Sequence, residues 1–294
     1  MLTCITIPAY NEEKTIGKVI TDIKNVMNKT RYKYKILIVD DGSTDNTAKT
    51  AKQAGAIVYS HPRNYGLAEA FRTEIKKCLE LKADIVVHTD ADGQYLASEI
   101  PKLIEPIIKK QADLVLGSRF KGHIESMPLI KRLGNKAFSK VISNITHLKI
   151  SDAQTGFRCF SKEVAKNIPI ISNHTYTQES VIRAAKQHYK IVEIPVYFAK
   201  RDGKSRLMRN PFEYAIKAWI NIFRIYRDFE PLKFFGLFGG IFFLLGFLIG
   251  VWLFYLFFTT GIVGHYPSIM LSVLLMSIGL QIWLFGFLAD MKKN

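Results

Sequence analysis

Asp90-Ala91-Asp92-Gly93-Gln94 places two carboxylates and an amide within five residues, directly after the apolar run Ile85-Val86-Val87. A strand that stops in two acids and a glycine presents a rim of oxygen atoms, and hard divalent cations such as Mg²⁺ or Mn²⁺ take oxygen ligands. Side chains alternate along an extended backbone, so both carboxylates face one ion only if the loop turns, and Gly93 permits that turn. Taken alone, such a triplet is more often a solvated turn. Its meaning depends on what else the chain brings to the same edge.

Further polar clusters stand at the ends of apolar runs: Tyr10-Asn11-Glu12, Asp40-Asp41 and Ser118-Arg119. The runs themselves predict strands at Leu2–Ile7, Ile36–Val39, Ala56–Ser60, Ile85–Thr89 and Leu114–Leu116. Pro8 is expected to break the first and Gly117-Ser118-Arg119 to close the fifth. Between them the apolar residues recur at helical spacing: Ile16, Val19, Ile20, Ile23, Val26 and Met27; Phe71, Ile75, Cys78 and Leu79 after Gly66; Ile100, Leu103, Ile104, Ile107 and Ile108. Asn11 is expected to cap the first helix, with Glu12 and Glu13 favoured by its dipole. Continuously apolar strands alternating with helices predict an α/β domain, a mostly parallel sheet covered on both faces. Such sheets bind ligands at the carboxyl ends of their strands, where the polar clusters fall. Neither G-x-x-x-x-G-K-[ST] nor G-x-G-x-x-G occurs, so a P-loop or dinucleotide site has no support.

Pro8-Ala9-Tyr10-Asn11-Glu12, Val39-Asp40-Asp41-Gly42-Ser43-Thr44-Asp45, Asn64-Tyr65-Gly66-Leu67 and Asp90-Ala91-Asp92-Gly93-Gln94 resemble family 2 glycosyltransferases of the GT-A fold. Gly117-Ser118-Arg119, the D-x-Q-x-G-x-R stretch from Asp152 to Arg158, and Arg201-Asp202-Gly203-Lys204-Ser205-Arg206 resemble the dolichol-phosphate mannosyltransferase and polyprenyl-phosphate glycosyltransferase branch. The resemblance runs in order from residue 1 to about residue 230. It implies that Pro8, Tyr10, Glu12, Asp40 and Asp41, with Asp90 and Asp92, bind the nucleotide-sugar. It also implies that Asp90, Asp92 and Gln94 hold a divalent cation, Mg²⁺ or Mn²⁺, on the donor diphosphate. A nucleoside diphosphate leaving group gathers negative charge as the glycosyl bond breaks, which such an ion stabilises. Arg119, Arg132, Arg201, Ser205 and Arg206 are the candidates for the acceptor phosphate, since guanidinium suits bidentate contact. Asp92, Asp152 and Arg119 are the catalytic candidates, Asp152 either orienting the acceptor or acting as a base.

Five basic residues fall in Lys200–Arg209, and Glu179 and Arg183 stand four apart on an expected helix, the spacing of a plain intrahelical ion pair. From Pro211 to about residue 230, Phe212, Ala215, Ile216, Trp219, Phe223 and Tyr226 make one apolar face among basic residues, the pattern of an interfacial helix. Phe234–Phe258 and Ser268–Ala289 are free of charge and long enough to span a bilayer. The connection Thr259–Pro267 carries no Lys or Arg, whereas Lys233, Lys292 and Lys293 flank the outer ends. The positive-inside rule then puts both ends and the catalytic domain on the cytoplasmic face, of a plasma or ER-type membrane.

The 294-residue chain carries 41 Lys+Arg against 25 Asp+Glu, formally +16. That excess suits a phosphate-rich partner; nucleic acid would explain the charge but not the two spans or the acid loop. Cys4, Cys78 and Cys159 form no C-x-x-C, which argues against a zinc site or a disulfide framework. No secretory signal opens the chain.

The expectation is therefore a GT-A domain over residues 1–210, an interfacial helix over 211–230 and a transmembrane hairpin over 231–294. It would transfer one sugar, mannose from GDP-mannose in the first instance, to a polyprenyl phosphate such as dolichyl phosphate, with inversion. UDP-glucose or UDP-N-acetylhexosamine are the alternative donors, and homo-oligomerisation is compatible with this reading. A processive polysaccharide synthase would carry Q-x-x-R-W, which is absent. A non-catalytic nucleotide-sugar-binding scaffold would not need the acid loop.

Overall fold

The computed structural model describes residues 1–171, 176–200, 211–262 and 265–291. The chain divides into two compact units, Met1–Pro211 and Phe212–Asn294.

The first unit is built on a seven-stranded sheet in the order β3-β2-β1-β4-β6-β5-β7. Its strands are β1 (Leu2–Ala9), β2 (Lys33–Asp40), β3 (Ile57–Ser60), β4 (Ile85–His88), β5 (Leu114–Ile124), β6 (Arg158–Ser161) and β7 (Ile191–Phe198). All neighbours pair in parallel except β6, which runs antiparallel to both β4 and β5. The reversal matters for the site. It brings the loop before β6, not the one after it, to the edge where β1, β2, β4 and β5 deliver their carboxyl ends.

Helices α1 (Ile16–Met27), α2 (Thr47–Gln53), α3 (Leu67–Glu80), α4 (Ile100–Ile108), α5 (Leu129–Thr146), α6 (Lys162–Asn167) and α7 (Tyr176–Lys186) cover the sheet. Strand alternation divides the core. Ile5, Ile7 and Ala9 join Ile16, Ile20 and Ile23 of α1 and Ile100, Leu103 and Ile107 of α4 in one cluster. From the opposite face of β1, Cys4 meets Cys78 of α3, Sγ to Sγ at 2.8 Å, both thiols free and buried.

Three local expectations are corrected. Pro8 does not break β1; it pairs in register with Val39. Even-numbered residues of β1 bond toward β4, as Leu2 and Thr6 do through their carbonyls. Pairing with β4 ends at Thr6, so at Pro8 no ladder bond requires the missing N–H. Asn11 does not cap α1, which starts at Ile16 after Thr15. It adopts φ 53°, and its Oδ1 accepts from Thr44 N at 2.8 Å, stitching the β1 and β2 loops together. Finally, β5 does not close at Arg119 but runs on to Ile124 past a register shift, pairing again at His123–Tyr197 and Ile124–Phe198. Gly122 makes this fit, because a Cβ there would stand 2.0 Å from Val196 O.

The second unit holds α8 (Pro211–Phe229), α9 (Pro231–Thr260) and α10 (Tyr266–Met291). The last two are long and apolar enough to cross a membrane. Their contact recurs every seven residues, at Gly239, Gly246 and Leu253 against Ser272, Gly279 and Gly286. A seven-residue repeat implies a left-handed crossing, and small residues let the backbones close. Ser272 Oγ donates to Gly246 O at 2.7 Å and Trp283 Nε1 to Gly236 O at 2.9 Å.

Candidate active site

The loops after β1 and β2 form one wall. Ser43 Oγ accepts from Asn11 N at 2.9 Å and Thr47 Oγ1 from Glu12 N at 2.8 Å. Asp40 is buried, and its Oδ1 accepts from Ser43 N at 3.1 Å. Tyr10 is 40 % exposed at the lip, Pro8 and Glu12 are partly buried beneath it, and Glu12 Oε2 accepts from Thr15 Oγ1 at 3.1 Å. Asp41 faces inward. Its Oδ1 accepts from Tyr65 N (3.0 Å) and lies 2.7 Å from His61 Nδ1, while Oδ2 accepts from Gly66 N (2.8 Å). His61 Nε2 in turn lies 2.9 Å from Thr73 Oγ1. Asp41 thus fastens the turn before α3, whereas Asp40 stays at the strand end.

The acid loop follows β4. Asp90 and Asp92 are both partly buried, and Asp92 Oδ1 accepts from Gln94 N at 3.1 Å. Burial, then the like charge of Asp92, pushes the Asp90 carboxyl up to about 6. A carboxylate pair that strains against its own charge, and offers only hard oxygen donors, fits a divalent cation. Among the described residues no third His, Cys, Asp or Glu joins them. The Gln94 side chain donates from Nε2 to Ala199 O at 3.0 Å, and Ala199 N returns a bond to Gln94 O at 2.9 Å. Gln94 therefore ties the acid loop to the end of β7.

Behind the loop lies a buried relay that sequence reasoning passed over. His88 Nδ1 lies 2.8 Å from Glu74 Oε2, and His88 Nε2 lies 2.8 Å from Tyr176 Oη. With Glu74 ionised, Nδ1 donates to it and Nε2 accepts from the phenol. Tyr176 stacks on Phe71 at 4.3 Å.

The loop from Ser151 to Phe157 makes the facing wall. Asp152 is fully buried. Arg119 forks onto it, Nε to Oδ2 at 2.7 Å and Nη2 to Oδ1 at 2.8 Å, and the Arg119 N–H adds a third bond to Oδ2 at 3.0 Å. Nη1 takes no hydrogen-bond partner among the described residues and is not a sealed polar atom. The guanidinium stands 5.2 Å from the Phe198 ring centroid. Gly156 abuts Asp90: a Cβ there would lie 2.9 Å from each carboxylate oxygen. Tyr95 Oη accepts from Gly156 N at 3.2 Å. Arg158, fully buried, donates to the carbonyls of Ala153, Thr155 and Thr177 and to Ser180 Oγ at 2.6–2.8 Å. Burial pulls its guanidinium down to about 10, still protonated at neutral pH.

The structure thus gathers Pro8, Tyr10, Glu12, Asp40, Asp90, Asp92, Gln94, Arg119 and Asp152 at one sheet edge. Arg132 is exposed on α5, and no described hydrogen bond or ion pair joins it to Arg119. Arg201, Ser205 and Arg206 lie outside the described residues. Glu179 and Arg183 form the expected ion pair at 2.7 Å.

Residues 4–168 match the sequence profile of glycosyl transferase family 2. The chain is a family 2 glycosyltransferase. This glycosyltransferase is 35 % identical over 218 residues to the UDP-N-acetylglucosamine–dolichyl-phosphate N-acetylglucosaminyltransferase of Methanococcus voltae, covering 66 % of this chain and 84 % of that one. It is 29 % identical to the dolichol-phosphate mannosyltransferase of Pyrococcus furiosus, over 97 % of this chain and 81 % of the other. Among solved structures it shares the fold of Mycobacterium tuberculosis glucosyl-3-phosphoglycerate synthase in complex with Mn²⁺, UDP and phosphoglyceric acid. The TM-score there is 0.59 at 19 % identity, over 76 % of this chain and 77 % of that one.

Proposed function

We propose that this glycosyltransferase moves a single hexose from a nucleotide-sugar to a polyprenyl phosphate of the dolichyl type, with inversion at the anomeric carbon. The observation that carries the reading is Arg119, held by Asp152 across the cleft from the acid loop with one guanidinium nitrogen unspent. Relatives named for dolichyl phosphate support it, as do two helices of membrane-spanning length in the same chain.

Asp40 and Glu12 take the nucleoside side, with Tyr10 at the lip. Asp90 and Asp92 hold the divalent cation, which when bound offsets the charge gathering on the diphosphate. The acceptor nucleophile is a phosphate oxygen, already anionic at neutral pH, so the reaction needs positioning and charge neutralisation more than a base. Asp152 accordingly serves as the counter-ion that aims Arg119, since both of its oxygens are engaged by that residue. Nη1 of Arg119 meets the acceptor phosphate. Arg201, Ser205 and Arg206 are candidates for the acceptor phosphate from the basic run in the sequence, and Arg132 is a candidate from α5. The hairpin anchors the enzyme, with the catalytic domain on the cytoplasmic face where Lys233 lies.

The donor is read as GDP-mannose, in line with the relative named for mannose. A UDP-N-acetylhexosamine is the second reading, favoured by the 35 % identical relative. The full chain in nanodiscs, given dolichyl phosphate and Mg²⁺ or Mn²⁺ with GDP-mannose, UDP-glucose or UDP-N-acetylglucosamine in turn, decides. Mass spectrometry of the lipid should show one hexose or N-acetylhexosamine gained from one donor. Free sugar released with no lipid-linked product from any donor would overturn the acceptor assignment.

A further inference from the structure

The Arg119–Asp152 pair rests on a carboxylate from another strand. Glu193 lies on β7, in register with Leu116 of β5, and its side chain is only 3 % exposed. Its Oε1 accepts from the backbone N–H groups of Ser151 at 2.8 Å and Asp152 at 2.9 Å. Its Oε2 accepts from Ser151 Oγ at 2.9 Å and from Lys121 Nζ at 2.9 Å. Ser151 Oγ also lies 2.6 Å from Ser118 Oγ, which accepts from Lys121 N at 3.1 Å. One buried carboxylate therefore gathers four donors from two segments. One segment is the β5 bulge that carries Arg119; the other is the loop that carries Asp152.

We propose that Glu193 is a positioning residue for the acceptor half of the reaction, fixing Asp152 and through it the direction of the Arg119 guanidinium. The inference rests on the reading that Arg119 meets the acceptor phosphate. Asp152 sits in a loop with no regular secondary structure, so its own place is set by what holds its backbone. The amide of Asp152 itself is one of the two that Glu193 accepts from. The cluster is also balanced: Lys121 and Arg119 carry two positive charges, Glu193 and Asp152 two negative. A phosphate arriving at Nη1 thus meets a fork held in place by its counter-ions, not a free surface cation. The donor loop meets the far end of the Asp152 loop, Asp90 against Gly156 and Tyr95 against Thr155, Gly156 and Phe157, whereas Glu193 holds its near end at Ser151 and Asp152, so a change at Glu193 should reach the acceptor first.

Replacing Glu193 by Gln keeps an oxygen for the two amides but turns an NH₂ group toward Lys121 Nζ, loosening the β5 side. The experiment uses the full chain in nanodiscs and measures transfer kinetics against dolichyl phosphate, with nucleoside diphosphate affinity by calorimetry alongside. Glu193→Gln should lower kcat/KM for the acceptor roughly tenfold, within the range for a misplaced positioning group, and leave nucleoside diphosphate affinity unchanged. Arg119→Lys keeps a counter-charge for Asp152 but removes the fork, and should lower the same parameter. In the Arg119→Lys background, Glu193→Gln should then cost almost nothing further, because groups acting through one another are not additive. The same factor in both backgrounds, or a loss on the donor side instead, overturns the positioning role. If Arg119→Lys alone leaves acceptor kinetics at the wild-type level, it is the assignment of Arg119 that fails. Should Glu193→Gln not fold, Glu193→Asp answers the same question. It retains the charge and retracts the carboxylate by one methylene, so positioning predicts acceptor impairment and a purely electrostatic role predicts rescue.

Discussion

At the scale of single residues, two aspartates next to each other in sequence do different work. Asp40 keeps an oxygen at the cleft edge while Asp41 is spent on His61 and the amides of Tyr65 and Gly66. Asp40→Ala should therefore weaken nucleoside diphosphate binding by roughly tenfold or more, as for a lost hydrogen bond to a charged group, with little change in Tm. Asp41→Ala should instead lower Tm, because it leaves buried donors unpaired. Calorimetry and thermal unfolding on both variants separate the two. Asp92→Ala should abolish transfer and weaken Mn²⁺ binding measured directly by electron paramagnetic resonance. Chelation should silence the wild type until Mg²⁺ or Mn²⁺ is restored; full turnover in excess EDTA would refute the metal assignment. Sequence showed Asp40, Asp90 and Asp92 because Asp40 ends β2 and the other two stand in the loop that follows β4. It could not show His61, the Glu74–His88–Tyr176 relay or Glu193, whose hydrogen-bond partners stand 12 to 88 positions away. The only local trace was a polar residue inside an apolar run, as with His88 in β4 and Glu193 in β7.

At the scale of elements, periodicity located the strands and helices, and the errors fell where tertiary pairing overrides a local signal. Pro8 read as a breaker because proline usually is one; it stays in β1 because β4 has already ended beside it. Gly117 read as the end of β5, yet the strand continues because β7 offers a second stretch of pairing. The antiparallel β6 was invisible as such, since four residues carry no mark of direction. Its consequence is the facing wall of the site, pinned from below by Arg158. Arg158→Met should strand the carbonyls of Ala153, Thr155 and Thr177. At about 1 kcal/mol or more for each unpaired buried group, the loss is roughly 3 kcal/mol, a fall in Tm of about 6–12 °C for a domain of this size. Gly156→Ala tests the same wall from the other side. Its methyl group would stand 2.9 Å from both oxygens of Asp90, so the carboxylate must turn away. Cation affinity should drop about 10- to 100-fold, as when a supporting contact of a metal ligand is lost, with Tm nearly unchanged. An unchanged Mn²⁺ affinity would mean that Asp90 does not hold the ion.

At the scale of the whole molecule, the two apolar helices have the length that a membrane hairpin needs. At 1.5 Å per residue, the 30 residues of α9 and 26 of α10 extend roughly 45 and 39 Å, beyond the roughly 30 Å hydrocarbon core. Each helix therefore has several residues to spare for the interfaces. Aromatic rings mark one end: Trp252 and Tyr255 late in α9, Tyr266 at the start of α10, with Trp252 and His265 rings 5.4 Å apart. Such rings sit at headgroup level. The opposite end carries Lys233 beside Glu230, and Asp290 late in α10. The seven-residue seam locks the two helices in register, because Gly279 has no room for a Cβ: it would lie 2.6 Å from Phe243 N. One orientation of the pair thus fixes both ends at once. The proposed topology puts Lys233 on the cytoplasmic side and so expects Thr259 and Thr260, at the other end of α9, on the opposite side. A reporter fused after Asn294 should read as cytoplasmic. Thr259→Cys should react with a membrane-impermeant maleimide in intact cells, while Cys4, Cys78 and Cys159, all buried, should not. Labelling of Thr259→Cys only after the cells are opened, together with an external signal from the fusion, would invert the hairpin. The lysine placement would then have no bearing on where the sugar is transferred.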